Sequence, residues 1–350
     1  MRSSASHRIS RRTFIEHTAV WAAGYGLTGA GAEGAAAAPL ARVETVLGPI
    51  PADQLGFTHV HEHVMCDFVG ADKTNRGRWE VAEVVRVMKP RLLQLKERRV
   101  AGFADCTPAY IGRDPRVLRQ LATETGLHLL TNTGYYGGAG DKFVPKHAYE
   151  ETAEQLADRW VKEIEDGIEG SGVKPGFIKT GVDEATGKPA RLSDIDAKLI
   201  HAAALASRRS GLAVVCHTGG GPAGLEAVVQ FVGKGGDSAR FVVAHSDGHG
   251  LEINFKVAEL GAWVSFDGLG YQPLEAHLKY VLPMLEKHAG RVVLSMDSGW
   301  YWVGESGGGK IRDYNYLTDI FLPALEKSGV AAARLREVTV TNPARVFGRG

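Results

Sequence analysis

The stretch GFTHVHEH, residues 56–63, decides the fold because it joins a strand to a pair of candidate metal ligands. Its apolar and β-branched residues predict a β-strand that begins at Gly56 and runs to His61. Successive side chains of a strand point to opposite faces, so His61 and His63 share one face while Glu62 lies on the other. Two imidazoles on one face at the end of a strand can clamp a metal ion. A His-x-His pair alone is a modest signal, and its weight depends on what else the chain brings to the same place.

The same strand is the first of eight strand-like runs, most of them followed by a longer segment in which apolar residues have helical spacing. Repeated βα units predict a parallel sheet with helices packed on it. Eight repeats favour a closed (β/α)₈ TIM barrel, of the α/β class, over an open sheet. The predicted strands are 56–61, 102–106, 128–133, 176–179, 213–217, 241–245, 262–267 and 292–297.

The segments between these strands carry apolar residues three and four positions apart, as amphipathic helices do. A doubly wound open sheet is the competing architecture, and it usually has a glycine-rich phosphate-binding turn after its first strand. Here the glycine runs 219–221 and 307–309 follow the fifth and eighth strands instead, which favours the barrel. A short hairpin over 43–50 is expected to close the barrel floor. The clearest predicted helices are 79–99, 149–169, 194–209 and 277–289.

The composition of the 350-residue chain is that of an ordinary globular protein, with 44% apolar residues, 23% charged residues and a formal net charge of +1. This balance gives no electrostatic reason for binding nucleic acid or an anionic membrane surface. We therefore expect a small-molecule partner, no nucleic acid and no membrane. The three cysteines, Cys66, Cys106 and Cys216, stand in or just after apolar runs and are predicted to be buried free thiols.

The beginning of the chain differs from the rest. The run SRRTFI, residues 10–15, precedes a weakly apolar Ala/Gly stretch that ends in four alanines at 35–38. This order is typical of a twin-arginine export signal. We therefore predict a signal over 1–38, a barrel domain over 39–350, and a periplasmic or extracellular location. A disordered arginine-rich leader or a membrane anchor is the alternative, but the glycines of the stretch and Glu33 make it too polar to span a bilayer.

Further nitrogen and oxygen ligands stand at the ends of other predicted strands, where barrel enzymes carry their catalytic side chains. His217 ends the fifth strand, His245 the sixth and Asp297 the eighth. A single histidine at such a place is usually a core residue. Four histidines and a carboxylate that reach the same barrel mouth are better explained as ligands of a borderline cation such as zinc.

Lys179 ends the fourth predicted strand and is the unusual member of this set. An ammonium group that points into an apolar barrel carries a large desolvation penalty. A deprotonated lysine can instead add carbon dioxide and become a carbamate, an anionic ligand able to bridge two cations about 3.5–4 Å apart. The alternative is a lysine that pairs with Asp297 or reaches solvent. The neighbouring ligands favour the bridging role.

The order and spacing of these residues resemble the phosphotriesterase family of the amidohydrolase superfamily, over nearly the whole chain after residue 40. The resemblance implies a hydrolase with a (β/α)₈ barrel and two divalent ions, usually zinc, and it makes a homodimer plausible. By the resemblance, one ion would be buried, the other more exposed, and an N6-carboxylated (carbamylated) lysine would bridge them. The buried ion would be held by His61, His63 and Asp297, the exposed ion by His217 and His245, and the bridge would be Lys179.

The mechanism implied by this resemblance needs no serine or cysteine nucleophile. A water molecule shared by two cations loses a proton near neutral pH, and the bridging hydroxide attacks the substrate. Asp297 would accept the proton as the new bond forms, which makes it the catalytic residue of the set.

Residues outside the ligand set bear on the substrate. Lactonase-like family members carry a tyrosine at the end of the third strand, and Tyr136 stands where it is expected. The aromatic run 300–302, which begins with Trp300, is expected to line the pocket. Phosphotriesterases proper carry a histidine after the strand-seven aspartate and a second acid after His-Ser-Asp, whereas this chain has Gly268 and Gly248.

The leading hypothesis is therefore an exported binuclear metal hydrolase that cleaves ester or lactone bonds. A dedicated triesterase that acts on aryl dialkyl phosphates is the alternative enzyme. A metal-bearing protein that binds a small molecule without turnover is the alternative outside enzymes.

Overall fold

Residues 41–350 are described by the computed structural model, and the predicted export signal, 1–38, lies outside them. The described part begins with an antiparallel hairpin of β1 (Arg42–Thr45) and β2 (Gly48–Pro51). Val43 is fully buried among apolar residues of the barrel interior. The hairpin expected from the sequence therefore exists and closes the barrel floor.

Ten further strands build the barrel, and all of their pairings are parallel. β5 and β6 are two halves of one strand interrupted at Thr131, and β12 continues β11 beyond a kink at Asp297. Eight strand positions result, as the sequence predicts. The strands are β3 (Thr58–Cys66), β4 (Gly102–Asp105), β5 (His128–Leu130), β6 (Asn132–Thr133), β7 (Phe177–Val182), β8 (Val214–Thr218), β9 (Phe241–Val243), β10 (Trp263–Phe266), β11 (Val292–Leu294) and β12 (Gly299–Trp302).

These strands close on themselves. β3 pairs with β4 and β4 with β5, while β6 to β11 pair one after another in chain order. The eighth strand position then returns to the first, because the Asp297 N–H donates to the His61 carbonyl over 3.0 Å and the His63 N–H donates to the Ser298 carbonyl over 2.9 Å. The predicted fold, an α/β (β/α)₈ barrel, is confirmed.

Helices follow most of the strands, at the positions that the periodicity of apolar residues predicts for the longest of them. No helix within residues 41–350 is long and apolar enough to cross a membrane. The helices are α1 (Val81–Glu97), α2 (Pro115–Thr125), α3 (Lys146–Glu150), α4 (Ala153–Asp166), α5 (Asp194–Ser210), α6 (Gly221–Gly233), α7 (Leu251–Glu259), α8 (Leu274–His288), α9 (Leu322–Lys327), α10 (Ala332–Arg336) and α11 (Asn342–Phe347).

One predicted helix, 149–169, is wrong in its extent. The chain forms two helices there, α3 and α4, and α4 begins at its own cap. Thr152 Oγ1 accepts a hydrogen bond from the Gln155 N–H, while Gln155 Oε1 accepts one from the Thr152 N–H. This reciprocal capping box satisfies backbone donors at a helix start and fixes the boundary.

Two apolar layers hold the barrel together. The layer inside the barrel consists mainly of small and β-branched residues, and the outer layer between sheet and helices contains the large aromatic and aliphatic ones. Cys66, Cys106 and Cys216 are buried and free, as predicted. Interior residues include Val60, Ala104, Val215, Val242 and Val293, and outer ones include Trp160, Leu199, Phe231, Phe266 and Met284.

β3 departs from strict alternation where the candidate ligands begin. Its pairing register with β4 shifts between His59 and Glu62. Val60 consequently belongs to the apolar interior, yet the next residue, His61, and then His63 also face inward. An irregularity of this kind changes which side of a strand points inward. β3 thus supplies an apolar residue, Val60, to the barrel interior and two candidate ligands, His61 and His63, to the cavity.

Candidate metal centre

All six predicted ligands line one cavity at the C-terminal ends of the barrel strands. The cavity has a volume of about 300 Å³ and opens to solvent. Four of the six side chains project from within strands, and the other two stand just after β9 and β11 end. The six residues are His61, His63, Lys179, His217, His245 and Asp297.

His245 and Asp297 are expected from the sequence to be the last residues of their strands, but both have left-handed backbone conformations beyond the strand ends. Their φ angles are +60° and +48°, and that of Trp300 is +71°. Such conformations cost on the order of 1–3 kcal/mol for residues with a Cβ and persist where surrounding contacts enforce them. The Asp297 carbonyl accepts hydrogen bonds from Tyr271 Oη at 2.9 Å and Trp300 Nε1 at 2.8 Å.

Three ligands form a tight group that offers one atom each to a metal ion. The ligand atoms of His61, His63 and Asp297 lie within 4.8 Å of one another. Asp297 Oδ1 is 3.0 Å from His63 Nε2 and 3.8 Å from His61 Nε2. The other ring nitrogen of His63, Nδ1, is 2.8 Å from Thr107 Oγ1. Contacts of this kind fix the orientation of an imidazole and leave Nε2 for the metal.

Asp267 has a role that its place in the sequence did not reveal. It is fully buried, and its Oδ2 lies 2.9 Å from His61 Nδ1 while its Oδ1 lies 2.8 Å from His245 Nδ1. The His245 N–H also donates to Oδ1 over 2.8 Å. The centre has two halves, one with His61, His63 and Asp297 and the other with His217 and His245. The Asp267 carboxylate orients one ligand in each half. The only sequence signal for this role is an acid at the end of the seventh strand, between two strands that end in ligands.

The protonation states of two of the four imidazoles, those of His61 and His217, suit metal binding. Burial, followed by the charge of Lys179, lowers the pKa of His61 to about 4. Burial, with His245 and Lys179 nearby, lowers the pKa of His217 well below its usual range. Burial alone would lower the pKa of His245 as well, but the Asp267 carboxylate raises it above the ordinary value. His61 and His217 are therefore neutral near pH 7, as metal-ligating imidazoles must be.

The two carboxylates remain ionised. Burial alone would raise the pKa of Asp297, but the hydrogen bond with His63 and the charge of His61 hold it far below its usual range. Burial likewise opposes ionisation of Asp267, yet His245 and His61 lower its pKa well below the ordinary value. Asp297 is therefore an anionic ligand for a cation, and Asp267 is an anionic residue that orients two of the histidine ligands.

Lys179 is buried without a partner. Its side chain is one of the largest that are fully buried, and Nζ makes no hydrogen bond to any described residue. The alternative in which it pairs with Asp297 or reaches solvent is therefore not the arrangement that the structure has. An unpartnered polar group in such a place is costly. An orphaned amine that shares a cavity with four imidazoles and a carboxylate fits the donor set of a two-ion centre.

The rest of the cavity wall is mainly apolar and aromatic. Trp300 stacks on His63, with ring centroids 3.9 Å apart and planes 23° apart. The ring of Tyr136 is centred 4.9 Å from that of His217. Both residues predicted to bind substrate, Tyr136 and Trp300, thus line the cavity beside a ligand. The apolar part of the wall includes Phe68, Pro108, Ile111 and Phe143.

The prediction that the whole aromatic run 300–302 lines the pocket is wrong for two of its residues. Tyr301 points to the opposite face of β12 and is buried in the outer apolar layer. Trp302 shares the face of Trp300 but stands farther out, half-exposed, with its ring edge-on to Phe68 at 5.0 Å. The alternation of side chains along a strand accounts for the first difference.

Comparisons with known proteins agree with this geometry. Residues 41–347 match the Phosphotriesterase family. A "Phosphotriesterase homology protein" of Escherichia coli (strain K12) is 31% identical over 302 residues, which are 84% of this chain and 99% of that protein. A "Phospho-furanose lactonase" of Mycoplasmopsis synoviae (strain 53) is 27% identical over 332 residues, 87% of this chain and 90% of that protein.

The solved structures give the same result. The "Organophosphorus Hydrolase from Deinococcus radiodurans" has a TM-score of 0.79 and 26% identity, and the match covers 88% of this chain and 97% of that chain. The matched range, residues 41–347, spans the barrel and includes all six candidate ligands. The chain is a metal-dependent hydrolase and belongs to the phosphotriesterase family.

Proposed function

We propose that this hydrolase cleaves ester or lactone bonds at the cavity described above, with Asp297 as its catalytic base. The observation that carries the proposal is the buried, unpartnered amine of Lys179 among ligands sufficient for two cations. A barrel that needed these residues only for stability would pair or replace that amine. The alternative of a binding protein without turnover loses its support because the family is one of hydrolases.

The cofactors that we propose are two divalent cations, Zn²⁺ in the first place. The close group of His61, His63 and Asp297 would hold one ion, and His217 and His245 would hold the other. Imidazole and carboxylate are ligands that suit zinc. When bound, the two cations lower the pKa of a shared water molecule and polarise the oxygen of the scissile group.

Lys179 completes the centre in this proposal by becoming N6-carboxylated. The neutral Nζ forms a bond to the carbon of CO₂ and loses one proton to solvent, which leaves an anionic carbamate. This change converts an orphaned donor into two acceptor oxygens facing the cation ligands. It therefore supplies negative charge where four imidazoles bring none.

Three residues handle protons and the substrate. Asp297, held ionised by His63 and His61, receives the proton of the attacking water at its carboxylate. Burial, followed by the charge of Asp297, raises the pKa of Tyr136, so its hydroxyl keeps its proton near pH 7. From its position beside His217 it can donate a hydrogen bond to a substrate oxygen. Trp300 provides a flat apolar wall over His63.

The cavity wall also favours substrates that carry an acidic group. Besides Lys179, Lys142 is the only lysine or arginine among the residues that line the cavity. Lys142 is exposed, its Nζ lies 5.4 Å from the centre of the Phe143 ring, and its stem runs along Gly70. A cation at the rim of an apolar cavity attracts an anion on the substrate. The phosphorylated lactone in the name of the Mycoplasmopsis relative is of this class.

Aryl dialkyl phosphate triesters are the second candidate substrates, since the structural neighbour is named an organophosphorus hydrolase. The chain lacks the two residues expected for proton relay in phosphotriesterases proper, because Gly248 and Gly268 stand in their places. The neighbouring acid, Asp247, accepts the Gly268 N–H over 2.8 Å and lies 3.2 Å from His277 Nδ1. It is held outside the cavity lining, which favours esters and lactones over triesters.

The experiment is a metal count followed by a substrate panel. The protein is produced with Zn²⁺ and bicarbonate, its bound metal is counted, and lactones, aryl esters and an aryl dialkyl phosphate are assayed. We expect about two ions per chain and metal-dependent turnover that is fastest on a lactone or ester. A triester as the best substrate would favour the second candidate. Absence of metal, or of metal-dependent turnover on any ester or lactone, would refute the proposal.

We further propose export through a twin-arginine pathway directed by residues 10–15. The paired arginines before an apolar stretch support this proposal. Replacement of Arg11 and Arg12 by lysine should keep the protein inside the cell, as cell fractionation would show. A homodimer is proposed on family resemblance alone, and light scattering of the purified protein tests it.

A further inference from the structure

Glu62, between the two histidines of β3, is fully buried but does not line the cavity. Its side chain instead faces the eighth strand position of the barrel. Oε1 accepts hydrogen bonds from His59 Nδ1 at 2.9 Å, Ser295 Oγ at 2.8 Å and the Met296 N–H at 3.0 Å. Oε2 accepts one from the Ser298 N–H at 2.7 Å. The Met296 and Ser298 backbone groups are obligatory donors, so each oxygen of Glu62 accepts one backbone hydrogen bond.

The two backbone donors flank one residue, Asp297. Its own N–H donates to the carbonyl of His61, the neighbour of Glu62 in β3, over 3.0 Å. Three consecutive backbone N–H groups, from residues 296 to 298, are therefore held by residues 61 and 62. Between them the chain adopts the left-handed conformation of Asp297, with φ of +48°.

We propose that Glu62 is a positioning residue that holds Asp297 in this conformation. Two acceptor oxygens, 2.7 Å and 3.0 Å from N–H groups on either side of the kink, leave the intervening residue little freedom to return to extended backbone. The Asp297 carboxylate is thereby directed at His61 Nε2 and His63 Nε2. Glu62 acts through Asp297 and touches neither the cavity nor a substrate. The inference rests on the proposed metal role of Asp297 only for its metal-binding readout.

The two acceptor oxygens of Glu62 matter as much as its size. In Glu62→Gln one oxygen becomes an NH₂ group, which has donors and no acceptor. If that group replaces Oε2, it faces the Ser298 N–H; if it replaces Oε1, it faces the Met296 N–H. In either orientation the NH₂ group faces a backbone N–H, so two donors meet and the hydrogen bond on that side of the kink is lost. The substitution preserves volume, so it tests the contact rather than the packing.

The first test compares Glu62→Gln with the matched control Glu163→Gln. Like Glu62, Glu163 accepts hydrogen bonds at both oxygens. The buried Arg113 donates to them at 2.7 and 2.8 Å, and Glu163 lies outside the cavity. We expect the metal affinity of the Glu62 variant to fall by about 10–100-fold, the usual effect of removing a residue that orients a ligand. Glu163→Gln should lower the urea midpoint and leave metal affinity unchanged. Equal metal affinity of wild type and Glu62→Gln would overturn the inference.

The second test is a double-mutant cycle of Glu62→Gln with Asp297→Asn. If Glu62 acts through Asp297, the loss of metal affinity in the double variant equals that of Asp297→Asn alone, whereas a purely structural role gives additive losses. The same cycle is measured by urea unfolding of the metal-free proteins, where the two changes should also be non-additive. Additivity in the metal-free cycle overturns the inference even if the proposed metal centre proves wrong.

A milder variant covers the case in which Glu62→Gln does not fold. Ser295→Ala removes one donor to Oε1, together with the acceptor of the His61 N–H, and leaves both backbone donors to Glu62 in place. It should lower metal affinity in the same direction by a smaller factor, and it should couple to Asp297→Asn in the same cycle. Additive effects of this pair would count against the inference in the same way.

Discussion

The two halves of the candidate centre differ in how completely the protein builds them. On one side, His61, His63 and Asp297 approach each other within 4.8 Å, and partners orient both imidazoles. On the other side, Asp267 orients His245, but Lys179, which would bridge the two halves, has a buried nitrogen without any hydrogen bond in the described part of the chain. The first half is organised before a metal arrives. The second half depends on chemistry at Nζ and on the cations themselves.

This difference predicts opposite effects of the two halves on the protein without metal. Contacts among His61, His63 and Asp297 contribute to stability in either state. The buried amine of Lys179, in contrast, is a liability until it is carboxylated, because a buried polar group without a partner carries its full desolvation penalty. Substitutions on the two sides can therefore separate folding from function.

The largest effect is expected from Lys179→Met, which keeps a long side chain and removes the amine. Activity on the best ester or lactone should fall by more than about 100-fold, since a direct ligand matters more than the residues that orient it. The metal-free variant should be more stable than the wild type by about 1–3 kcal/mol, because the unsatisfied amine is gone. Steady-state kinetics and urea unfolding measure the two effects.

Lys198→Met is the matched control. Lys198 Nζ donates to the carbonyls of Ala148, Tyr149 and Glu151 at 3.0–3.1 Å, so its removal leaves acceptors unpaired. This variant should lose stability and keep its activity. Loss of stability in metal-free Lys179→Met would contradict the contrast between the two halves.

A smaller effect is expected from Asp267→Ala, which removes both carboxylate oxygens and so touches both halves at once. His61 Nδ1 and His245 Nδ1 each lose their acceptor, so one ligand in each half loses its orientation. Affinity for both ions should fall by about 10–100-fold. Titration with a chelator measures the two affinities. Asp114→Ala, at the cap of α2, is the control that should leave both unchanged.

A weakened affinity for one ion only would show that Asp267 serves a single half. The joint role attributed to this carboxylate would then be wrong. The difference between the halves would then be larger, because Asp267 would orient a histidine ligand in one half only.

Regular alternation made part of this centre predictable from the sequence. In β7 and β8, Phe177 and Val215 pack inside the barrel, and the residue two places later, Lys179 or His217, enters the cavity. In such strands, which residues face the barrel interior follows from the alternation of side chains, and this alternation can be read from the local sequence. The fold followed from the same repetition, since eight apolar runs of strand length are visible without any knowledge of contacts.

The rest depends on contacts between distant parts of the chain. His61 and Asp267 are 206 residues apart, and Glu62 meets Ser298 across 236 residues. No local pattern indicates that an acid at a strand end will orient two histidines. The shift in β3 and the left-handed backbone at Asp297 are likewise enforced by neighbouring strands, so propensity cannot reveal them.

The pH dependence of metal-free stability is expected to reflect the imidazoles. The pKa of His61 is about 4 in the folded protein, while an unfolded histidine has a pKa of about 6.5. Between these values the unfolded state binds more protons, so stability rises with pH, by roughly 1–3 kcal/mol in total from this residue. Urea midpoints measured from pH 4.5 to 7 test this slope.

The carboxylates act in a lower range. Because the pKa of Asp267 and that of Asp297 are depressed in the folded protein, their contribution is present above an unfolded pKa of about 4 and is lost as pH falls further. His61→Asn should therefore flatten the slope above pH 4.5 and also weaken the acid limb, because His61 helps to lower the pKa of both carboxylates. A slope unchanged by this substitution would contradict the assignment.

The smallest effect is expected at the cavity rim, from Lys142→Gln. An exposed charge contributes little, so KM for an acid-bearing lactone should rise only about fivefold. A neutral lactone of the same shape should show no change. Lys146 is an exposed lysine outside the cavity lining, so Lys146→Gln should affect neither substrate. Added salt should reduce the difference between the two substrates in the wild type, since it screens exposed charges. Equal changes for charged and neutral lactones would show that Lys142 shapes the rim without recognising an anion, and the apolar wall would then set specificity alone.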